Sequence, residues 1–320
     1  MTAASDESVA LATIGQAYAW ESVRAGEQVK SRLATLYDVP TGMTFAQYRA
    51  TIRFGDDATV PTARDLTIEG VPARSFTPEA PSRGDYLHLH GGGWCLGSHT
   101  MHDETLQQLA DRTALTVTSV GYRMAPEHRY PACLDDVLAV ARAFSERPGP
   151  GFLAIGGESA GAHLAAMTVI ELSERLGRQP FAAVSLNYGA FDLTAGLDRA
   201  LALLMPGASA ADRRAASPLF AELNGVPAAR LCVGTGDALL AQTLSMEARW
   251  RGHASTELDV FDGAAHAFTT VRSTAARVAK MREADFLRRQ RDAALASNQV
   301  SLDNGSHRHD KAVCKNDRSE

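Results

Sequence analysis

The chain reads as an α/β protein with a mainly parallel, eight-stranded sheet covered by helices on both faces. Three observations predict this. From about residue 62 onward, short apolar runs alternate with segments of helical periodicity, which is the pattern of βαβ units. Several of those runs end at glycines, where strands give way to tight turns. The composition, 45% hydrophobic and 22% charged over 320 residues, is that of an ordinary globular protein long enough for one large domain with insertions.

The elements follow in order. Residues 7–37 place apolar groups at helical spacing without an internal proline, which predicts one or two amphipathic helices. "RDLTIEGVPARSFTP" predicts two strands joined by a turn at Gly70. "DYLHLH" is a strand that stops at three glycines, and "LTVTSV" is one that runs into "GYRMAPEHRYP". "CLDDVLAVARAF" is helical, "FLAI" is a strand, and "AHLAAMTVIELSERL" is the helix after it. "AAVSLNYG", "ARLCVGTG" and "TELDVF" complete the strands, with helical "LAQTLSMEARWR" before the last. A terminal helix is expected over roughly 273–296. The segment 192–225 interrupts the rhythm and reads as an insertion, while the polar, aperiodic tail 297–320 is expected to be disordered.

Charge and cysteine usage exclude several classes. A net charge of −5 argues against nucleic acid or an anionic membrane as a partner. The opening stretch lacks a basic region followed by an apolar core, so no secretory signal is expected. No apolar run approaches a membrane-spanning length, and no stable membrane association is expected. The four cysteines show no CxxC spacing and read as reduced thiols of a cytoplasmic protein.

The stretch "LAIGGESAGAHLA" carries the first chemical signal. Gly157-Glu158-Ser159-Ala160-Gly161 fits G-x-S-x-G between a strand and a helix, the context of a nucleophile elbow. The serine needs a strained backbone there, and only glycine-sized neighbours let strand and helix approach closely enough. A hydroxyl is a poor nucleophile unless a base takes its proton, and in this chain order the base comes last, after an acid. Of the ten histidines, His88, His90, His99, His102 and His128 precede Ser159, and His163 lies on its helix. His253 ends a helix, and His307 and His309 fall in the tail. His266, in "FDGAAHAF", follows the last strand. For the acid, Asp237 sits just beyond a strand's glycine-rich end, with Asp262, Asp192 and Asp259 as rivals. The glycines of "HLHGGGW" leave backbone N–H groups bare, so Gly92 and Gly93 can point at a developing alkoxide, with the N–H of Ala160 as a further donor. His99, His102 and Asp103 lack further clustered ligands, so no metal and no other cofactor is expected.

"HGGGW", "GYRMAPEHRYPA", "GESAG", "SPLF", "GTGDALL" and "AHAF", in this order, resemble the hormone-sensitive-lipase-like branch of the α/β-hydrolase esterases over roughly residues 65–290. The resemblance implies a Ser159–His266–Asp237 triad, an oxyanion hole of Gly92, Gly93 and Ala160, and a helical cap. Residues 1–45 and 192–225 would form that cap on a catalytic domain of residues 46–296. Three positions depart from the family pattern: Ala238 replaces a proline, Ala267 a glycine, and Glu158 an aspartate.

The expected activity is hydrolysis of short-chain or small-molecule carboxylic esters through an acyl-enzyme. The same triad would serve an amidase, lactonase, acyltransferase or cyclase. A non-catalytic ligand-binding receptor on this scaffold, as the gibberellin receptors of the branch are, would typically have lost the histidine. The expected partner is a small-molecule ester, with a homodimer left open.

Overall fold

The computed structural model describes residues 35–52, 60–147 and 151–313, with side chains to residue 297. The helices expected over residues 7–37 lie almost wholly outside the described residues.

Eight strands form one sheet: β1 (Arg64–Ile68), β2 (Val71–Phe76), β3 (Asp85–Leu89), β4 (Thr116–Val120), β5 (Leu153–Glu158), β6 (Ala183–Asn187), β7 (Ala228–Gly234) and β8 (Thr256–Phe261). Their spatial order is β1-β2-β4-β3-β5-β6-β7-β8. The first two pairings are antiparallel and the remaining five are parallel, so the sheet is mainly parallel as expected. Glu69 and Gly70 both take positive φ between β1 and β2, which suits a two-residue hairpin turn.

The β-period of two sorts the core into two layers. On β3, Leu87 and Leu89 belong to the larger cluster, whereas Tyr86 belongs to a smaller one on the opposite face. The larger layer takes helices α3 (Ala132–Ser145), α4 (Ala160–Leu176) and α7 (Leu240–Arg251), through residues such as Val137, Leu164 and Trp250. The smaller takes α2 (Asp103–Thr113) and α8 (Thr274–Val313), through Leu106, Leu109, Phe286 and Leu287. Between β6 and β7 the chain carries α5 (Asp198–Leu204), α6 (Ala210–Ala215) and a 3₁₀ turn over Pro218–Phe220.

Two elements differ from expectation. A short helix, α1 (Phe45–Thr51), starts at a capping box in which Gln47 N–H donates to Thr44 Oγ1 and Thr44 N–H to Gln47 Oε1. Its Arg49 donates to the carbonyls of Cys95 and Ala125 and pairs with Glu127. The second concerns the terminal helix expected over roughly 273–296: α8 continues past residue 296 to Val313, and residues 314–320 of the tail lie outside the described residues. No proline follows Pro227 to stop it. The single glycine inside the extension, Gly305, costs about 1 kcal/mol, too little to end a helix already nucleated on the sheet.

Candidate active site

Ser159 sits between the last residue of β5 and the first of α4, with φ 54° and ψ −112°. That conformation costs a non-glycine residue on the order of 1–3 kcal/mol, and the surroundings hold it. Its N–H donates to the Asn187 carbonyl on β6 at 2.9 Å, and its carbonyl accepts from His163 N–H at 3.1 Å. A Cβ on either Gly157 or Gly161 would run into the carbonyl of Leu89 on β3. The two glycines of the motif are therefore required by close approach of strand, turn and helix.

The elbow turns the Ser159 hydroxyl toward His266. Ser159 Oγ lies 2.9 Å from His266 Nε2, and His266 Nδ1 lies 2.9 and 3.1 Å from the two carboxylate oxygens of Asp237. A carboxylate can only accept, so Nδ1 carries the proton and Nε2 is left to accept from the hydroxyl. The Asp237 side chain is fully buried, and its Oδ1 also accepts from Leu239 N–H at 2.8 Å. This second bond holds the carboxylate although Ala238 stands where the family pattern has proline. The rival carboxylates are engaged elsewhere. Asp262 accepts from Thr235, Asp192 from Thr194, and Asp259 pairs with Arg230 and Arg282.

The glycine loop lies beside them. Gly92 and Gly93 take φ 118° and 61°, the left-handed side that favours glycine. A Cβ on Gly92 would strike the Leu96 carbonyl, and one on Gly93 the Tyr37 hydroxyl. Ala160, as the first residue of α4, has no carbonyl four residues back within its helix to take its N–H. Trp94 anchors the loop: its indole N–H donates to His163 Nδ1 at 3.2 Å, while His163 Nε2–H donates to the Ala216 carbonyl at 2.8 Å. The glycine loop, the helix behind the nucleophile and the segment after α6 are thus joined through one imidazole. With Nδ1 accepting from Trp94 and Nε2 protonated toward Ala216, the ring is neutral, and burial lowers its pKa to about 4.

Ser159, His266 and the glycine loop border a cavity of about 480 Å³, within the range of small-molecule sites. Leu36 and Tyr37 line it from before α1, and Leu197, Arg199 and Ala200 from the segment between β6 and β7. Three contacts here are not legible in the motifs. Tyr188 packs edge-on against the His266 ring at 5.2 Å between centroids, with its hydroxyl bonded to Thr269 Oγ1. Glu158 receives the Nε2–H of buried His88 at 3.0 and 3.1 Å. Burial opposes both charges, but the pair's attraction and hydrogen bonds prevail, lowering the Glu158 pKa to about 2 and raising that of His88. Finally, Tyr37 closes one wall of the glycine loop from a segment that precedes the sheet.

Three buried cysteines and a buried histidine elsewhere in the fold are unsuited as nucleophile or base. Burial pushes the thiols of Cys95, Cys133 and Cys232 up to about 12, which suppresses the thiolate. Burial also lowers His90 to about 3.

A family model described as alpha/beta hydrolase fold matches residues 86–270. Among curated proteins, the versiconal hemiacetal acetate esterase of Emericella nidulans is 38% identical over 128 residues, 39% of this chain and 44% of that protein. An acetyl esterase of Salmonella choleraesuis is 32% identical over 137 residues, 41% of this chain and 42% of that one. The matches thus span less than half the length of these relatives. Among solved structures, an esterase/lipase from an uncultured bacterium superposes with a TM-score of 0.71 at 23% identity, covering 82% of this chain and 98% of that one. A hormone-sensitive lipase from a metagenome library gives 0.70 at 22% identity, covering 83% and 98%.

Proposed function

We propose that this chain, which belongs to the alpha/beta hydrolase fold family, is a serine carboxylic ester hydrolase acting on short-chain or small-molecule esters. The observation that carries the reading is the continuous hydrogen-bonded line from Ser159 through His266 to Asp237. Ser159 Oγ attacks the ester carbonyl as His266 Nε2 takes its proton, forming the Oγ–C bond of a tetrahedral intermediate. The backbone N–H groups of Gly92, Gly93 and Ala160 bind the oxyanion, each donor being worth about 3 kcal/mol of barrier. The intermediate collapses, the C–O bond to the alcohol breaks, and His266 returns its proton to the leaving oxygen. Water then attacks the acyl-enzyme by the same route and frees the acid. Asp237 keeps His266 in the accepting tautomer and stabilises its cation.

The size of the cavity and its apolar walls favour small acyl groups. The segment between β6 and β7 and the residues around Tyr37 act as its cap, since both contribute lining residues. Support for ester chemistry also comes from the matched relatives, whose names are those of acetate and acetyl esterases. The test is Ser159→Ala assayed on p-nitrophenyl acetate and butyrate. Turnover is expected to fall by about 10³-fold or more, as loss of a triad nucleophile does. A variant as active as the parent would refute the assignment.

A further inference from the structure

We infer that the Tyr37 hydroxyl is a further catalytic donor: it gives a hydrogen bond to the ester carbonyl oxygen and holds that oxygen as it becomes an alkoxide. This inference rests on the esterase reading above and adds a side chain to the backbone donors named there.

The position of the phenol carries the argument. A Cβ on Gly93 would strike the Tyr37 hydroxyl, so that oxygen lies where a Gly93 side chain would project. By ordinary bond lengths this puts it within about 5 Å of the Gly93 amide nitrogen. Two donors that far apart can meet on one acceptor, since each needs only about 2.7–2.9 Å to it. Tyr37, Gly93 and Ser159 line the same cavity, so an oxygen bound there by Gly93 N–H comes within reach of the phenol. Glycine at position 93 thus serves two donors: it offers its own N–H, and its lack of a side chain admits the hydroxyl.

The hydroxyl is also available. A phenol held within protein ordinarily finds a hydrogen-bond partner. Tyr188 uses its hydroxyl on Thr269 Oγ1, and Tyr122 donates to the His90 carbonyl. Among the described residues no group bonds to the hydroxyl of Tyr37. Burial raises the Tyr37 pKa above its ordinary 10, so the oxygen keeps the proton it would donate. The ring itself is held: the Arg199 guanidinium lies 5.9 Å from its centroid and pairs with Asp38, and Val39 N–H donates to the Tyr37 carbonyl at 3.2 Å. The segment before α1 and the one between β6 and β7 therefore fix the phenol without using its hydroxyl.

The test is Tyr37→Phe, which keeps the ring and removes the hydroxyl. On p-nitrophenyl butyrate, kcat is expected to fall about tenfold or more with KM little changed, as loss of an oxyanion donor does. Inhibition then separates a bond to the alkoxide from a wall that only shapes the cavity. A trifluoromethyl ketone adds to Ser159 Oγ and its carbonyl oxygen becomes an alkoxide, His266 taking the proton. The methyl ketone of the same chain binds without that addition. Tyr37→Phe is expected to raise the Ki of the trifluoromethyl ketone about tenfold or more and that of the methyl ketone less than about threefold, because only the first carries the charge. A smaller loss of kcat, or an equal rise for both ketones, overturns the role of Tyr37 and leaves the esterase reading intact. A parent protein that neither turns over the ester nor is inhibited by the trifluoromethyl ketone would overturn both.

Discussion

At the scale of single residues, the departures from the family pattern have local causes. Glu158, where aspartate is usual, is matched to His88. The two are 70 positions apart in sequence, yet the parallel register sets His88 on β3 opposite Gly156 on β5, two residues before Glu158. The pair gives a signed pH dependence. His88 has a folded pKa above its ordinary 6.5, so its contribution is full below 6.5 and is lost as pH rises through the raised value. Glu158 has a folded pKa near 2 against an ordinary 4.5, so its contribution is full above 4.5 and is lost as pH falls toward 2. Thermal unfolding followed over pH is therefore expected to show Glu158→Gln costing most between about 4.5 and 6.5, and less at alkaline pH. A pH-independent cost would contradict the pairing. Asp237→Asn is expected to keep the fold and lower kcat by about 10³–10⁴-fold through the wrong imidazole tautomer, measurable on p-nitrophenyl butyrate. Ser159, Asp237 and His266 were legible because each follows a strand at a glycine-rich end. The contacts of Tyr188 and His88 were not, because they depend on which strands become neighbours.

At the scale of elements, the strand-turn-helix junction at Ser159 makes a contrary prediction. Replacing a helical glycine by alanine ordinarily stabilises by about 1 kcal/mol. Gly161→Ala is expected to do the reverse and cost roughly 2 kcal/mol or more, because the new methyl meets the Leu89 carbonyl. Denaturant unfolding measures the sign, and a stabilised variant would remove the close-packing argument. The strands and the long crossover helices were readable from periodicity. Helix α1 was not, since its seven residues bury none of their side chains and its start depends on the Thr44–Gln47 box. The end of α8 is not marked in the sequence, because a polar, aperiodic composition is compatible with an exposed helix as well as with disorder.

For the molecule as a whole, two buried systems position the site from opposite faces of the sheet. On one face, His163 joins Trp94 of the glycine loop to the segment after α6. On the other, Arg230 is fully buried and donates to Asp259, to Asn187 Oδ1 and to the Ala279 carbonyl on α8. Asn187 in turn offers the carbonyl that holds Ser159 N–H, so the ion pair supports the elbow through β6. Asp259→Ala leaves the Arg230 cation without its carboxylate and is expected to cost about 3 kcal/mol, seen as a lowered Tm. Its place in the strand "TELDVF" gave no sign of this role, because the partner arginine lies on the adjacent strand. Among the described residues no helix is long and apolar enough to cross a membrane.

The central claim is that Ser159 becomes acylated. Mass spectrometry of protein quenched during turnover of p-nitrophenyl butyrate, or after reaction with a fluorophosphonate, tests it directly. The account predicts one adduct per chain on the peptide containing Ser159, abolished in Ser159→Ala and much slowed in His266→Ala. An adduct on another residue, or turnover with Ser159 unmodified under both conditions, would contradict it.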